Sequence, residues 1–195
     1  VNGGLVVPPT AEDKKMQIFA AAEQILSQKG YAAASMNEIA RTVGLAKATL
    51  YHYFPSKEEL VAAMMETHID HFLASVEGMD SAKDTLSGVI RRWLEIEAEF
   101  FRKHHGLIGM LIQAGADIPE PIYQRVGCRR QEVERAALLY LDPHLPEQMD
   151  RTLAVAYFLG TLKLLLKKCW DEERQQYSPI AMEQSYHLLL GGLAG

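Results

Sequence analysis

Ser35-Met36-Asn37-Glu38-Ile39-Ala40-Arg41-Thr42-Val43-Gly44-Leu45-Ala46-Lys47-Ala48-Thr49-Leu50-Tyr51-His52-Tyr53-Phe54 predicts two short helices joined by a tight turn. Ser35 with Glu38 three residues on has the spacing of a capping box, so a helix starts there. Ile39, Ala40 and Val43 recur at helical spacing and form one apolar face. Gly44 stops that helix, because glycine enters the left-handed region cheaply. Leu45 pins the turn to the core. The next helix runs from Lys47 to Phe54 and ends before Pro55, since the residue preceding proline is pushed out of helical geometry. Leu50 and Phe54 lie four apart on one side of it. Ala48, Thr49, His52 and Tyr53 share the other. A helix with one face for protein and a small polar opposite face suits a DNA major groove. Ser56 with Glu59 repeats the capping spacing and places Lys57 at the positive end of a further helix.

Gly30-Tyr31, Ile39-Ala40, Gly44-Leu45 and Thr49-Leu50-Tyr51-His52-Tyr53-Phe54-Pro55-Ser56-Lys57-Glu58-Glu59-Leu60 resemble the DNA-binding head of TetR (tetracycline-repressor) type transcription regulators. Upstream, Ile18-Phe19, Ala21-Ala22 and Ile25-Leu26 are similar to that family's first helix. The resemblance covers residues 13 to 61 and fades beyond Met65. Two positions depart from it. Ala46 stands where serine is common, which removes an N-cap of about 1 kcal/mol. Ala48 stands where glycine is common, which favours helix and fills space near the bases. The resemblance implies an all-α fold. Residues 1–10 then form a disordered tail, 11–61 a helix-turn-helix head, and 62–195 a helical ligand-binding and dimerisation body.

Size and charge fit that organisation. A chain of 195 residues makes one large or two small domains and buries roughly 70% of its unfolded surface. The net charge of -5 argues at first against a polyanionic partner. Its distribution reverses the argument: residues 1–62 carry six acids and six bases, and all of the excess acid lies beyond them. A neutral head with Lys47 and Lys57 locally placed can engage phosphates.

Lys47, Ala48, Thr49 and His52 are the candidates for base-edge contact. The threonine hydroxyl donates or accepts, and the imidazole does either according to tautomer. Ser35, Tyr51, Tyr53 and Lys57 are the candidates for phosphate contact, the last two because the resemblance implies it. The alternative for each tyrosine is a core ring whose hydroxyl reaches water. Glu38 reads as a cap rather than a contact.

Helical patterning continues to the C-terminus, and no alternating run predicts a strand. Helices are expected over 11–29, from Ser56 to Gly78, from Asp80 or Ser81 past Phe101 to a break at His104-His105-Gly106, and over 107–114. Gly115 to Pro121 is a turn-rich link. Helices over 121–140, 147–169 and 179–190 follow, with an interruption at Asp142-Pro143-His144-Leu145-Pro146. The broad apolar coverage around Leu153, Tyr157, Gly160 and Leu164 calls for two neighbours, with Tyr186, Leu189 and Leu190 as a partner face; the alternative uses both faces inside one monomer. By resemblance, the last two helices pair with a second copy in a four-helix bundle. Two recognition helices must then match grooves about 34–36 Å apart, so the operator is an inverted repeat.

The body is rich in Met and aromatic residues, which fill a core or line an apolar cavity. The resemblance favours a cavity for a small-molecule effector whose binding tilts the helix joining body to head and releases DNA. Trp93, Gln113, Tyr123 and Tyr157 are the candidate contacts; an antibiotic, a fatty acyl compound, a bile acid or an aromatic metabolite would each fit. No cofactor or metal is expected. No G-x-S-x-G, phosphate-cradling glycine loop or H-E-x-x-H occurs, so enzymatic activity is not expected. His68 and His71 with Asp70 read as a solvated face rather than a metal site, and His104-His105 as an exposed helix end. Cys128 and Cys169 match no zinc spacing and read as ordinary thiols in a reducing cytoplasm, the alternative being a redox-sensing pair. There is no signal-peptide pattern and no span long enough for a membrane. The competing reading of the whole chain is a helical adaptor or metal-binding protein without operator affinity.

Overall fold

The structure is a computed structural model that describes residues 10–79, 85–114, 118–171 and 176–194, with backbone alone at 105, 109–114 and 194. The expected N-terminal tail, the helix start at Asp80 or Ser81 and the Gln113 side chain lie outside the described residues. Among those described, the helices are α1 (Ala11–Ala33), α2 (Met36–Val43), α3 (Lys47–Tyr53), α4 (Lys57–Glu77), α5 (Leu86–Ala114), α6 (Glu120–Leu141), α7 (Arg151–Cys169) and α8 (Pro179–Ala194). A one-turn 3-10 segment, Asp142–His144, occupies the predicted interruption. Two short antiparallel strands, β1 (Trp170–Asp171) and β2 (Gln176–Tyr177), join α7 to α8. They correct the expectation of no strand: two residues a side is too short to leave an alternating pattern.

Contacts divide the chain into two compact units. The first comprises residues 1–65 with 106–123, the second 66–105 with 124–195.

In the first unit, Thr10 caps α1 through a reciprocal pair of bonds with Asp13. Gly30 adopts φ 78° and kinks the helix near the expected end, but one more turn follows, to Ala33. Ser35 caps α2 as expected, accepting from the Glu38 N–H at 3.3 Å. The other half of the expected capping box is absent. The Glu38 carboxylate instead accepts from Lys29 Nζ at 2.6 Å, because a nearby ammonium competes better than a backbone amide. Gly44 closes α2 at φ 71°, and the Leu45 N–H returns to the Ala40 carbonyl at 2.8 Å. This is a Schellman-type ending. Ile18, Phe19, Leu26, Ile39 and Leu50 are at most 1% exposed and form the core of this unit, with Phe54 packed on Phe19 at 5.5 Å.

The second unit is built around Trp93. Its indole is fully buried and meets Phe72 of α4, Tyr140 of α6 and Phe158 of α7 edge-on, at 5.8, 6.4 and 5.7 Å. The α7 helix starts four residues later than expected, at Arg151, because the Asp150 carboxylate accepts from the Leu153 N–H at 2.9 Å and caps it. A side chain at Gly192 of α8 would collide with the Tyr157 ring, so the glycine permits the α7–α8 approach. Two histidine expectations need correction. His68 is not on a solvated face: it is buried, and its ring stacks on that of half-buried His104 with centroids 3.9 Å apart. Only His71 of the first pair is exposed. His104 itself marks the predicted break, which appears as a kink within α5 (φ -119°, ψ 17°) rather than as an end.

Glu97 of α5 is also buried here. Burial raises its carboxyl above the usual range, and the Lys163 ammonium and the Trp93 indole favour the ionised form without overcoming that effect. With the folded pKa above the unfolded one, protonated Glu97 is tolerated at low pH. Stability is then lost as pH rises from the unfolded value through the folded one. Glu97→Gln should remove that loss. Its melting temperature should exceed the parent's at neutral pH and converge with it near pH 4. A parent melting temperature that rises as fast as the variant's between those pH values would refute the assignment.

Candidate nucleic-acid interface

Seven residues of α3 do one structural task. Leu50 is fully buried and anchors the helix, while Lys47, Ala48, Thr49 and His52 are all exposed. The helix starts at Lys47 with no side-chain cap on Ala46, as the sequence predicts. Phe54 ends it in extended geometry (φ -138°) ahead of Pro55. The four candidate base-edge residues therefore sit on one solvent-facing helix, fixed from behind by Leu50 and Phe54. Tyr51 is 38% exposed and lies under the Lys47 ammonium at 5.5 Å. Tyr53 is half-buried, edge-on to His52. Ser35 is exposed, with its hydroxyl engaged as the α2 cap.

Lys57 opens α4, and its ammonium is already organised. It donates to the Tyr31 carbonyl at 2.6 Å and the Ala34 carbonyl at 3.0 Å, and lies 4.2 Å from the Tyr31 ring centre. These carbonyls belong to the last turn and cap of α1, where helix geometry leaves acceptors unpaired. An ammonium has three donors. Two hold it to α1, leaving one for an outside acceptor, so little side-chain freedom remains to be lost on binding. The Tyr31 hydroxyl completes the arrangement by donating to Glu58 at 2.8 Å. Burial first, then this carboxylate, pushes the phenol up; the Glu58 backbone amide and the Tyr31 hydroxyl hold the carboxyl low. Sequence reasoning missed this partnership. Tyr31 and Glu58 are 27 residues apart, and no periodicity connects them.

The candidate effector contacts occupy unlike surroundings. Trp93 is enclosed by core rings. Tyr123 of α6 is 65% exposed. Tyr157 of α7 is 40% exposed and donates to the Leu188 carbonyl of α8 at 3.3 Å. Cys128 is exposed and Cys169 buried, and neither forms a disulfide. No described helix is long and apolar enough to cross a membrane.

A family profile described as "Bacterial regulatory proteins, tetR family" matches residues 18–64, which span the later part of α1 through the start of α4. Among curated proteins, the transcriptional activator FasR of Mycolicibacterium smegmatis is 32% identical over 111 residues, 56% of this chain and 50% of FasR. The chain thus spans about half the length of that relative. The fatty acid metabolism regulator protein of Bacillus subtilis is 29% identical over 198 residues, 92% of this chain and 95% of that protein. The solved structure of the transcriptional regulator FadR from Bacillus subtilis, in complex with stearoyl-CoA, shares the fold. It superposes with a TM-score of 0.75 at 20% identity, covering 91% of this chain and 98% of that one. These relatives are named as regulators, in keeping with the lack of a catalytic motif.

Proposed function

The chain belongs to the TetR family of bacterial regulatory proteins, and from that premise we propose that it is a repressor that binds an inverted-repeat operator as a homodimer and is released by a small apolar or aromatic ligand. The observation that carries the proposal is the exposed face of α3, with Thr49 and His52 beside Lys47 and Ala48 and the fully buried Leu50 behind them. Thr49 and His52 read base edges; Lys57, Tyr53, Tyr51 and Ser35 hold phosphates. Residues 11–61 act as the DNA-binding head and 62–195 as the ligand-binding and dimerisation body, in the cytoplasm. The Bacillus subtilis relative, matched over nearly its full length, is named for fatty acid metabolism, which supports a fatty acyl compound as the effector.

Gel shifts with DNA upstream of the chain's own gene test the reading, scored for two protomers per palindrome. Lys57→Ala should weaken every operator alike. It should also flatten the slope of log affinity against log salt by about 0.9 per head. Thr49→Ala should leave that slope alone and change operator preference by about 1 kcal/mol at one base pair per half-site. An unchanged salt slope in Lys57→Ala would remove the lysine from the interface. Reporter expression that falls on deletion of the gene would make the protein an activator, as FasR is named.

A further inference from the structure

A groove of about 770 Å³ runs along the second unit between α6 and α7, within the range of small-molecule sites. Its floor is apolar, made by Val133, Val155 and Leu159, each at most 8% exposed. Its rim is cationic: Arg130 and Arg135 come from α6, Arg151 and Lys163 from α7, against the single acid Glu134. Two of the four cations are held by the protein. Arg130 pairs with Glu134 at 3.1 Å. Arg151 binds Asp142 at 2.7 Å and the carbonyls of Pro146 and Met149 at 2.6 and 2.8 Å. Arg135 and Lys163 make no ion pair among the described residues. A net positive rim over a dry floor is unexpected on a body that carries all of the chain's excess negative charge. The unlike chemistries of floor and rim ask for a ligand with both an apolar chain and an anionic head.

We propose that this groove binds a long-chain acyl amphiphile, with the chain along Val133, Val155 and Leu159 and the anionic head between Arg135 and Lys163. The proposal rests on the effector reading above and deepens it by giving the effector a place and a head-group chemistry. The position suggests a route of action. One stripe of α7 (Thr152, Ala156, Lys163) lines the groove, and the neighbouring stripe (Leu153, Tyr157, Leu164) is the exposed apolar face assigned to pairing. Gly160 belongs to both. A ligand in the groove would thus press on the helix whose neighbouring face is assigned to pairing.

Calorimetry on the full chain tests this with three probes held below their micellar concentrations: stearoyl-CoA, free CoA and stearate. The two acyl probes separate a thioester with a polyphosphate head from a free carboxylate. The variant is Arg135→Glu with Lys163→Gln, which leaves the α3 face untouched. Expected are binding by at least one acyl probe, much weaker binding of free CoA, and a loss of about tenfold or more in the variant. The affinity should fall with salt in the parent and less in the variant. Far-UV circular dichroism and operator affinity without ligand should be unchanged. Acyl binding that is equal in parent and variant would overturn the groove while leaving the effector reading standing. No binding by any acyl probe, with operator binding intact, would overturn the amphiphile chemistry. A variant whose oligomeric state changes while its ligand affinity does not would make the groove a contact between copies and overturn the proposal.

Discussion

Trp93→Ala should cost the second unit about 3–5 kcal/mol, the range for deleting a buried aromatic side chain from a core that cannot collapse around the hole. The indole is fully buried and touches a ring from each of three other helices, α4, α6 and α7. Edge-on ring pairs add about 0.5–1.5 kcal/mol each beyond area burial. Against a total of about 5–15 kcal/mol for a domain, such a loss leaves the fold marginal at best. Urea unfolding followed by far-UV circular dichroism checks it, at one protein concentration because association adds to apparent stability. The same variant separates two roles for Trp93. A core ring gives a large loss of stability and a ligand effect only as its consequence. A ligand-contacting ring gives a loss below about 1 kcal/mol together with abolished effector binding, because a cavity that normally opens to a ligand already lacks part of its packing.

The helix-turn-helix stretch was legible because every signal in it is local. A serine cap, a glycine at φ 71° and a proline after Phe54 each act within four residues of where they stand. The burial of Leu50 and the exposure of Thr49 follow from helical spacing alone. What escaped depends on long-range pairing. The Glu38 carboxylate prefers Lys29 to its own helix, and Lys57 reaches back to the carbonyls of Tyr31 and Ala34. His68 was misplaced for the same reason. Spacing from Met64 and Phe72 puts it on the inner stripe of α4, but its polarity argued for solvent, and its contact with the His104 ring lies 36 residues away in sequence. The groove between α6 and α7 was invisible in the sequence, since its four cations are drawn from two helices and one of them, Arg151, is held by partners outside its own helix. Charge counted along the chain gave a body that is acidic as a whole; charge mapped onto the fold gives one basic furrow in it.

If the protein pairs as proposed, Leu153→Glu with Leu164→Glu should leave it monomeric at micromolar concentration and weaken operator binding by about a hundredfold or more. Leu153 is 69% exposed and Leu164 59%, on one stripe of α7 with Tyr157 and Gly160 between them. On α8, which packs beside it, Leu188 and Ile180 are 60% and 73% exposed. An apolar stripe of this kind in water is either a pairing surface or an aggregation hazard. A two-fold pair places the stripe against itself, and Gly160 at its middle lets the backbones come close. Carboxylates introduced there would be buried between the two copies, where the cost of desolvating them acts against association. Because both positions are exposed in the single chain, circular dichroism should stay the same, which separates lost pairing from lost folding. The operator effect follows from geometry: once one α3 is seated, a joined second head sees its half-site at a high effective concentration, and simultaneous engagement is worth about 10²–10⁴ in affinity. A variant that stays dimeric in sedimentation would move the pairing surface away from α7. One that becomes monomeric yet holds the palindrome as tightly as before would show that each head binds alone, and the inverted-repeat operator would lose its physical basis.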